Sequence, residues 1–246
     1  MFKKAFTLAE VLITLGIIGV VAALTMPSLI AAYKEKMFIA QAKKSLSIVL
    51  NSVSFARAKA EVENNGEIFI SSNTSDVTAD IIFENMNVVQ RCKENVFSCL
   101  KGYKLKQNKP INDGFGNYRQ PHDLAKYSRA ILADGSIIGV SQTKYPEGNC
   151  QNYYTTWNKD ADGNYILDSS GNKTGERLVP EVDCGHIFFD VNGLKGPNQF
   201  GADAYLIYII PYSYVQSLGD INDVIRKNKL TAQRYDLNGS FKKTGN

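Results

Sequence analysis

An apolar run of 21 residues, from position 6 to position 26, is the feature that most restricts how this chain can fold. Lys3 and Lys4 precede the run, and Pro27 follows it. At about 1.5 Å per residue, a helix over this run is about 31 Å long, which matches the roughly 30 Å hydrocarbon core of a bilayer. The run therefore predicts a single membrane-spanning helix, and the two lysines on its short side predict a cytoplasmic N-terminus.

One carboxylate, Glu10, interrupts the apolar run. A charge in the bilayer core costs about 2.5–3.5 kcal/mol or more, so a simple anchor has no physical use for it. The small residues at 21–23 would suit a cleaved signal peptide, and the length alone would suit an inert signal anchor. Neither alternative accounts for an acid one helical turn after Phe6.

The residues KKA-FTLAEVLITLGIIGVVAALTMPSL resemble the N-terminal processing segment of type IV pilins and type II secretion pseudopilins. In that family a basic leader is cut before a Phe, which becomes N-methylated, the fifth mature residue is Glu, and a Pro bends the helix. The resemblance implies cleavage between Ala5 and Phe6, methylation of Phe6, and assembly roles for Glu10 and Pro27. The residue before the cut is usually Gly, and Ala5 departs from that pattern.

Glu10 is expected to pair with a positive group, because a buried carboxylate needs a partner. Cleavage before Phe6 would create a free α-amine, and parallel helices offset along their axes would bring the amine of one chain near Glu10 of another. We expect this pair to set the axial register of a helical assembly, with apolar helix surface supplying most of the packing. The alternative is that Glu10 extends to the cytoplasmic headgroups.

The helical pattern continues beyond Pro27 as an apolar i, i+3/i+4 stripe over residues 30–60. Basic residues occupy most of the other positions, so this half is amphipathic and should pack on a soluble domain. The pattern predicts one helix from about residue 7 to about residue 62, bent at Pro27. Asn64-Asn65-Gly66 then ends it.

The rest of the chain predicts an α+β head. A short helix is expected at about 77–90, with Ser75 or Thr78 as its N-cap, and another at 221–228. Hairpin turns are expected at Asp134-Gly135 and Asn238-Gly239. Strand patterns cover 127–133, 136–141, 186–191 and 204–210, and residues 158–175 indicate an exposed loop or irregular hairpin. We find no tandem repeat. A long helix followed by hairpin-linked strands predicts an antiparallel sheet packed on that helix, which is also the pilin arrangement.

Two stretches of the head, ILADGSIIGV and CGHIFFDVNGLKGPNQFGADAYLIYI, also resemble the C-terminal sheet region of bacterial pseudopilin-like proteins. The chain is therefore expected to have four parts. They are a leader at 1–5, a transmembrane and assembly helix at 6–29, its amphipathic continuation at 30–62, and an exported head at 63–246.

The charge balance argues against nucleic-acid binding. The net charge is +4, and removal of residues 1–5 takes away two lysines and leaves 26 basic against 24 acidic residues, which is too even for such a partner. A local basic run is more simply a solvated strand face than a DNA-binding patch; it consists of Lys101, Lys104, Lys106 and Lys109 around Tyr103.

All four cysteines lie in the predicted exported part, and an even number in an oxidising compartment predicts two disulfides. Three pairings are possible, and sequence proximity favours Cys92–Cys99, which leaves Cys150–Cys184. A zinc site is the alternative, but the chain has no C-x-x-C spacing and only two histidines, His122 and His186.

No sequence motif indicates an enzyme. The chain has no H-E-x-x-H, no G-x-S-x-G and no P-loop. Two oxygen-rich segments are calcium candidates. Residues 158–164 match the opening of an EF-hand loop, but Ser169 stands where a bidentate Glu is required, so turns are favoured. The second candidate comprises Asp190, Asn192, Asn198 and Asp203, and the resemblance adds to it because some major pseudopilins bind calcium in a C-terminal loop. No other cofactor is expected.

The function implied by the resemblance is a structural subunit of a type IV pilus or type II secretion pseudopilus. The expected partners are a prepilin peptidase, homologous subunits and an assembly platform in the bacterial inner membrane, with the head periplasmic or extracellular. The alternative is a minor tip pilin whose head binds a surface, a glycan, DNA or a secreted protein. Copy number along a filament would separate the two.

Overall fold

The computed structural model describes residues 7–96, 99–100, 103, 105, 111–112, 118–119, 124, 127–143, 150–216 and 218–232. Several sequence predictions lie outside these residues: the Ala5–Phe6 cleavage site, His122, the basic run of Lys101, Lys104, Lys106 and Lys109, and the Asn238-Gly239 turn.

The longest element is α1, a helix of 53 residues, Leu8–Ala60. It continues through Pro27, which has no N–H to donate to the carbonyl one turn earlier, and this is the physical basis of the expected bend. The helix ends at Glu61, whose left-handed backbone (φ 56°) lets its N–H donate to the carbonyls of Arg57 and Ala58. The predicted boundaries, about 7 and about 62, are close to those observed.

The two halves of α1 have different surroundings. Residues 7–38 are all described, and none of them is buried. The first buried residue is Ile39, and a buried stripe at helical spacing follows, formed by Ala42, Leu46, Val49, Val53 and Ala56. This stripe packs on the head, whereas the first half of the helix, residues 7–33, projects from it. By length and composition, the projecting half is long and apolar enough to cross a membrane.

The head contains two further helices, α2 (Ser75–Phe83) and α3 (Ile221–Lys227), and a 3₁₀ turn at Asn65–Glu67. The strands are β1 (Val88–Cys92), β2 (Ile111–Asn112), β3 (Tyr118–Arg119), β4 (Ser128–Leu132), β5 (Ile137–Gln142), β6 (Gln151–Thr156), β7 (Arg177–Val182), β8 (Gly185–Asp190), β9 (Ala204–Ile210) and β10 (Ser213–Gln216). Six of them form one sheet in the order β1-β4-β5-β8-β9-β10, with every adjacent pair antiparallel. The α+β fold with a long helix on an antiparallel sheet is confirmed.

The main sheet is covered on both faces. Ile187 and Phe189 of β8 belong to the apolar core shared with α1, α2 and α3. Phe188, which points to the opposite face, belongs to a smaller cluster with Tyr127, Phe200 and Leu206. Burial on both faces explains why β8 and β9 are nearly continuous apolar runs rather than alternating ones.

Two predictions for the head need correction. The helix expected at about 77–90 ends at Phe83, and Val88–Cys92 instead forms strand β1. The N-cap of α2 is Thr74 rather than Ser75 or Thr78. The Thr74 Oγ1 accepts from the Val77 N–H at 3.3 Å. The apolar spacing that suggested a longer helix is overridden by the pairing of β1 with β4, a tertiary interaction that local pattern does not contain.

Residues 151–182 form a separate arm. Its strands β6 and β7 pair only with each other, as a two-stranded sheet, and no described side chain in either strand is buried. The disulfide Cys150–Cys184 joins the base of the arm to the start of β8. A Cβ on Gly66 would lie 2.8 Å from the Sγ of Cys150, so the base lies beside the C-terminal end of α1, which we call the distal end of the head.

Candidate functional site

The start of α1 is the first candidate site, and it is built around Glu10. Thr7 is the N-cap, and its Oγ1 accepts from the Glu10 N–H at 3.3 Å. In return, the Glu10 carboxylate accepts from the Thr7 backbone N–H and from the Thr7 hydroxyl, each at 2.9 Å. This reciprocal capping box satisfies two otherwise unpaired groups at the helix start. The Thr-x-x-Glu spacing was visible in the sequence, and our sequence reasoning overlooked it.

The capping box gives Glu10 a local partner in the isolated chain. A single carboxylate can keep these hydrogen bonds while its outward lone pairs face a further donor. The predicted pairing with an amine of a second subunit is therefore chemically compatible with the observed geometry, and it stays a prediction.

The apolar surface after Glu10 is the second part of this site. Leu12, Ile13, Ile17 and Ile18 are each at least 60% exposed. Exposed apolar side chains in such a continuous patch mark a surface that is covered by lipid or by another protein. Gly16 and Gly19 have open space around the positions their Cβ atoms would occupy.

The four predicted calcium ligands lie in one loop, between β8 and β9. Asp190 ends β8, Asp203 immediately precedes β9, and the Val191 N–H donates to the Asp203 carbonyl at 2.9 Å. Both carboxylates are fully buried. The structure thus brings together Asp190, Asn192, Asn198 and Asp203 as one oxygen-rich cluster, which we call the carboxylate loop.

Each carboxylate of the loop accepts hydrogen bonds from the backbone. Asp190 Oδ1 accepts from the N–H groups of Asn192 (3.1 Å) and Gly193 (2.8 Å). Asp203 accepts from the N–H groups of Asn198 (2.8 Å) and Gln199 (2.7 Å). These bonds fold the loop tightly, and Gly193 supports the turn with a φ of 62°.

A tyrosine that sequence reasoning did not find completes the cluster. Tyr103 Oη donates to Asp190 Oδ2 at 2.8 Å. No local pattern could have linked these two residues, because they lie 87 positions apart in the chain. Burial, together with the nearby Asp190 charge, raises the pKa of Tyr103 well above its usual range.

The carboxylate loop carries an electrostatic conflict. Burial raises the pKa of Asp190 to about 8, and the nearby charge of Asp203 adds to the effect. Burial also raises the pKa of Asp203. A proton on one carboxyl group, or a cation beside the pair, would relieve this repulsion.

The donor chemistry of the loop fits a hard cation. Asn192 Oδ1 and Asn198 Oδ1 are buried and have no hydrogen-bond partner in the described part of the chain. Within that part, no group of three or more His, Cys, Asp or Glu side chains could hold a metal ion, so the asparagine oxygens are needed. Calcium prefers such a set of carboxylate and amide oxygens, and it would neutralise the pair. The residues that would hold it are Asp190, Asn192, Asn198 and Asp203.

The tip of the arm, residues 157–176, contains the EF-hand-like segment. That segment forms turns, which is the alternative that the sequence favoured. Asp160 Oδ1 accepts from the N–H groups of Asp162 (3.0 Å) and Asn164 (2.9 Å). Asp168 Oδ1 accepts from Ser170 (2.8 Å) and Asn172 (2.9 Å) in the same pattern. The arm tip is therefore a local repeat of two D-x-x-G-N turns, KDADGNY and LDSSGNK, which corrects the prediction of no tandem repeat.

The structure forms two disulfides, Cys92–Cys99 and Cys150–Cys184, with Cα–Cα distances of 5.7 and 4.3 Å. These are the pairs that sequence proximity favours, and they leave no free cysteine for a zinc site. His186 stacks on Tyr208, and its Nε2 lies 2.6 Å from Asp183 Oδ2.

Comparison of the chain with protein-family models, with curated proteins and with solved structures gave no significant match. The fold is compatible with a pilin-like arrangement, since a long N-terminal apolar helix packs on an antiparallel sheet. The finer resemblance rests on the residues of the N-terminal segment themselves.

Proposed function

We propose that this protein is a structural subunit of a type IV pilus or type II secretion pseudopilus, polymerised through its N-terminal helix. A single observation carries the proposal. One continuous helix projects an apolar half, residues 7–33, in which no side chain is buried, and builds its second half into the head. Because one helix connects the projecting half to the head, packing of the projecting halves against each other would fix the positions of the heads.

The apolar surface of the projecting half must be shielded from water both before and after assembly. Burial of apolar surface contributes about 25 cal/mol per Å², so this half would be unstable in water. We infer that the inner membrane covers it first, with Lys3 and Lys4 on the cytoplasmic side, and that neighbouring helices cover it after assembly. A prepilin peptidase would cut between Ala5 and Phe6 at the membrane, the new Phe6 amine would be methylated, and an assembly platform would extract the subunit.

Glu10 would then have two partners in succession. In the free subunit it caps its own helix through Thr7. In the filament the Phe6 amine of a neighbour would be attracted to the same carboxylate, because a charge among apolar helices is stable only when it is paired. This exchange would tie axial register to one specific contact.

Immunogold labelling of sheared surface filaments tests the proposal. We expect label along the whole filament and mass spectrometry of the mature chain that begins at a methylated Phe6. An uncleaved protein confined to the membrane fraction would overturn the proposal. Cells that lack the prepilin peptidase provide the matched control, since they should retain residues 1–5 and form no filament.

A second candidate function is a minor subunit at the filament tip, and the arm is the observation that favours it. The arm is exposed and is fixed to the head by a disulfide, so it would present a binding surface away from the main sheet. Label restricted to filament ends would favour this candidate over the first.

A further inference from the structure

A groove of about 860 Å³ lies at the end of the head nearest the projecting helix. We call it the proximal groove. One wall is the α1 turn that carries Lys34, Met37 and Phe38, and the other is the loop at 191–197. Leu194 in that loop is 55% exposed. The groove is thus mainly apolar and open to a partner.

The charge of the proximal groove is positive. Lys34 and Lys195 line it, and neither forms an ion pair with a described residue. The acid in the groove, Asp134, is already bound by Lys44 Nζ at 2.7 Å. Gln41 contributes a buried Oε1 without a hydrogen-bond partner among the described residues. An occupant with apolar side chains, negative charge and N–H donors would satisfy all of these groups.

The arm tip, residues 157–176, presents the complementary chemistry. Ile166 and Leu167 are exposed, the latter to 55%. The tip has two lysines and four acidic residues, which gives a charge of −2. Both lysines are held against aromatic rings, because Lys159 Nζ lies 4.8 Å and Lys173 Nζ 3.9 Å from the centroid of Tyr165. All four acids are exposed, so the tip presents negative charge to a partner.

The proximal groove and the base of the arm lie at opposite ends of the head. The 26 positions between Lys34 and Ala60 correspond to about 39 Å along α1. Leu167 and Leu194 are each 55% exposed in the single chain, so both are available to a partner. A contact between the two surfaces would join copies that are displaced along the helix axis.

We propose that the arm tip of one subunit docks in the proximal groove of the next. This inference rests on the proposed filament function and names the contact between heads within it. Two different surfaces meet, so the contact is heterologous, and repeated contacts build an open helical assembly rather than a closed dimer. Opposite charges orient the encounter, while Leu167 and Ile166 cover Met37, Phe38 and Leu194.

Site-specific photo-cross-linking in the full-length subunit tests the contact. Leu167 is replaced by p-benzoylphenylalanine, and sheared filaments are irradiated and digested. We expect cross-links from the arm tip to peptides containing residues 34–41 or 191–197 of another copy. Filaments that form normally but give no such cross-link would overturn this inference alone. Cross-links from a probe at Leu194 to residues 233–246 of its own chain would overturn it too, because the groove would then hold the C-terminal segment.

Charge exchange provides the second measurement. Lys195→Glu and Glu176→Lys should each lower filament yield by about two- to fivefold, and the double variant should recover most of the loss. Lys36→Glu is the matched control, because Lys36 is exposed on the same helix but does not line the groove. A double variant no better than the two single variants combined would contradict the contact. A wild-type chain that never forms filaments would overturn this inference and the proposed function together.

Discussion

At the scale of single residues, the most consequential group is Glu10, because one carboxylate has a local role and a proposed assembly role. The capping box accounts for its conformation in the isolated chain. It does not account for the charge, because a neutral Gln at the same position would complete the capping box equally well. The two roles can be separated by changing the partner instead of the acid.

We predict that Glu10→Ala abolishes or strongly slows filament incorporation, whereas Thr7→Ala leaves incorporation nearly normal. Each variant loses one of the two reciprocal bonds of the capping box, at a cost of about 1 kcal/mol or less, but only the first loses the charge. Membrane insertion should be unchanged in both, as measured by carbonate extraction. Filament yield is the readout, and equal loss in the two variants would show that capping explains the role of Glu10.

The carboxylate loop predicts a pH dependence in protein treated with a chelator. The pKa of Asp190 is raised in the folded state from 3.8 to about 8. The folded state therefore binds this proton more tightly than the unfolded state does. The stability that it contributes is fully present below the unfolded pKa and is lost as the pH rises through the folded value. We expect the melting temperature to fall between about pH 5 and about pH 9.

Asp190→Asn should flatten that profile, because it removes the titrating group and keeps an acceptor for the backbone. Asp160→Asn is the control, since Asp160 lies on the exposed arm tip and its pKa is lowered rather than raised, chiefly by the Asn164 N–H. A wild-type profile as flat as that of Asp190→Asn would contradict the assignment.

Calcium is predicted to stabilise the head through the same loop. At saturating millimolar calcium and about pH 8, we expect the melting temperature of the full chain in detergent to rise by about 5 °C or more. Asn198→Ala should reduce the rise, whereas Asp168→Ala in the arm tip should not. A melting temperature independent of calcium would exclude both oxygen-rich segments as calcium sites.

At the scale of elements, α1 is one continuous helix whose two halves have different surroundings. Leu46 is 6% exposed and Leu12 is 61% exposed. We predict that Leu46→Ala lowers the free energy of unfolding of the head by about 2–5 kcal/mol. Leu12→Ala should leave it unchanged and weaken assembly instead. Chemical denaturation and filament yield would be measured on both variants. A loss of head stability in Leu12→Ala, or unchanged stability in Leu46→Ala, would contradict the prediction.

The strands show where sequence reasoning succeeds. β8, β9 and the β4–β5 hairpin were predicted because buried runs such as IFF and the Asp134-Gly135 turn carry strong local signals. β6 and β7 were missed because neither has a buried face, so their sequences lack alternation. β7 also contains Pro180, which demotes a strand pattern to an edge.

The same logic applies to the candidate sites. The carboxylate loop was found because its four candidate ligands are close in sequence and belong to residue types that bind calcium. Tyr103 was not found, since its contact with Asp190 exists only after the sheet has folded. The direction of the arm and the existence of the proximal groove likewise depend on how separate elements pack.

At the scale of the whole molecule, the arm is held to the head by the disulfide Cys150–Cys184, which closes a loop of 34 positions. We predict that a Cys150→Ser/Cys184→Ser variant loses about 3–4 kcal/mol and that limited proteolysis then cuts first within 151–182. A Cys92→Ser/Cys99→Ser variant, which opens a loop of 7 positions, serves as the comparison. Protease cutting that starts elsewhere would contradict the role of this disulfide in holding the arm to the head.

That disulfide also determines how the molecule would carry tension. A pull on the arm would pass through a covalent bond into β8, which lies between β5 and β9 inside the sheet. A strand that is hydrogen-bonded to a neighbour on each side is displaced only when both sets of backbone hydrogen bonds break together. A pull on α1 would reach the same sheet mainly through apolar packing, with ion pairs such as Lys44–Asp134 adding to it. Under load, the weakest joint in such a chain of subunits would therefore be a packed interface, which can re-form after it slips, rather than the arm.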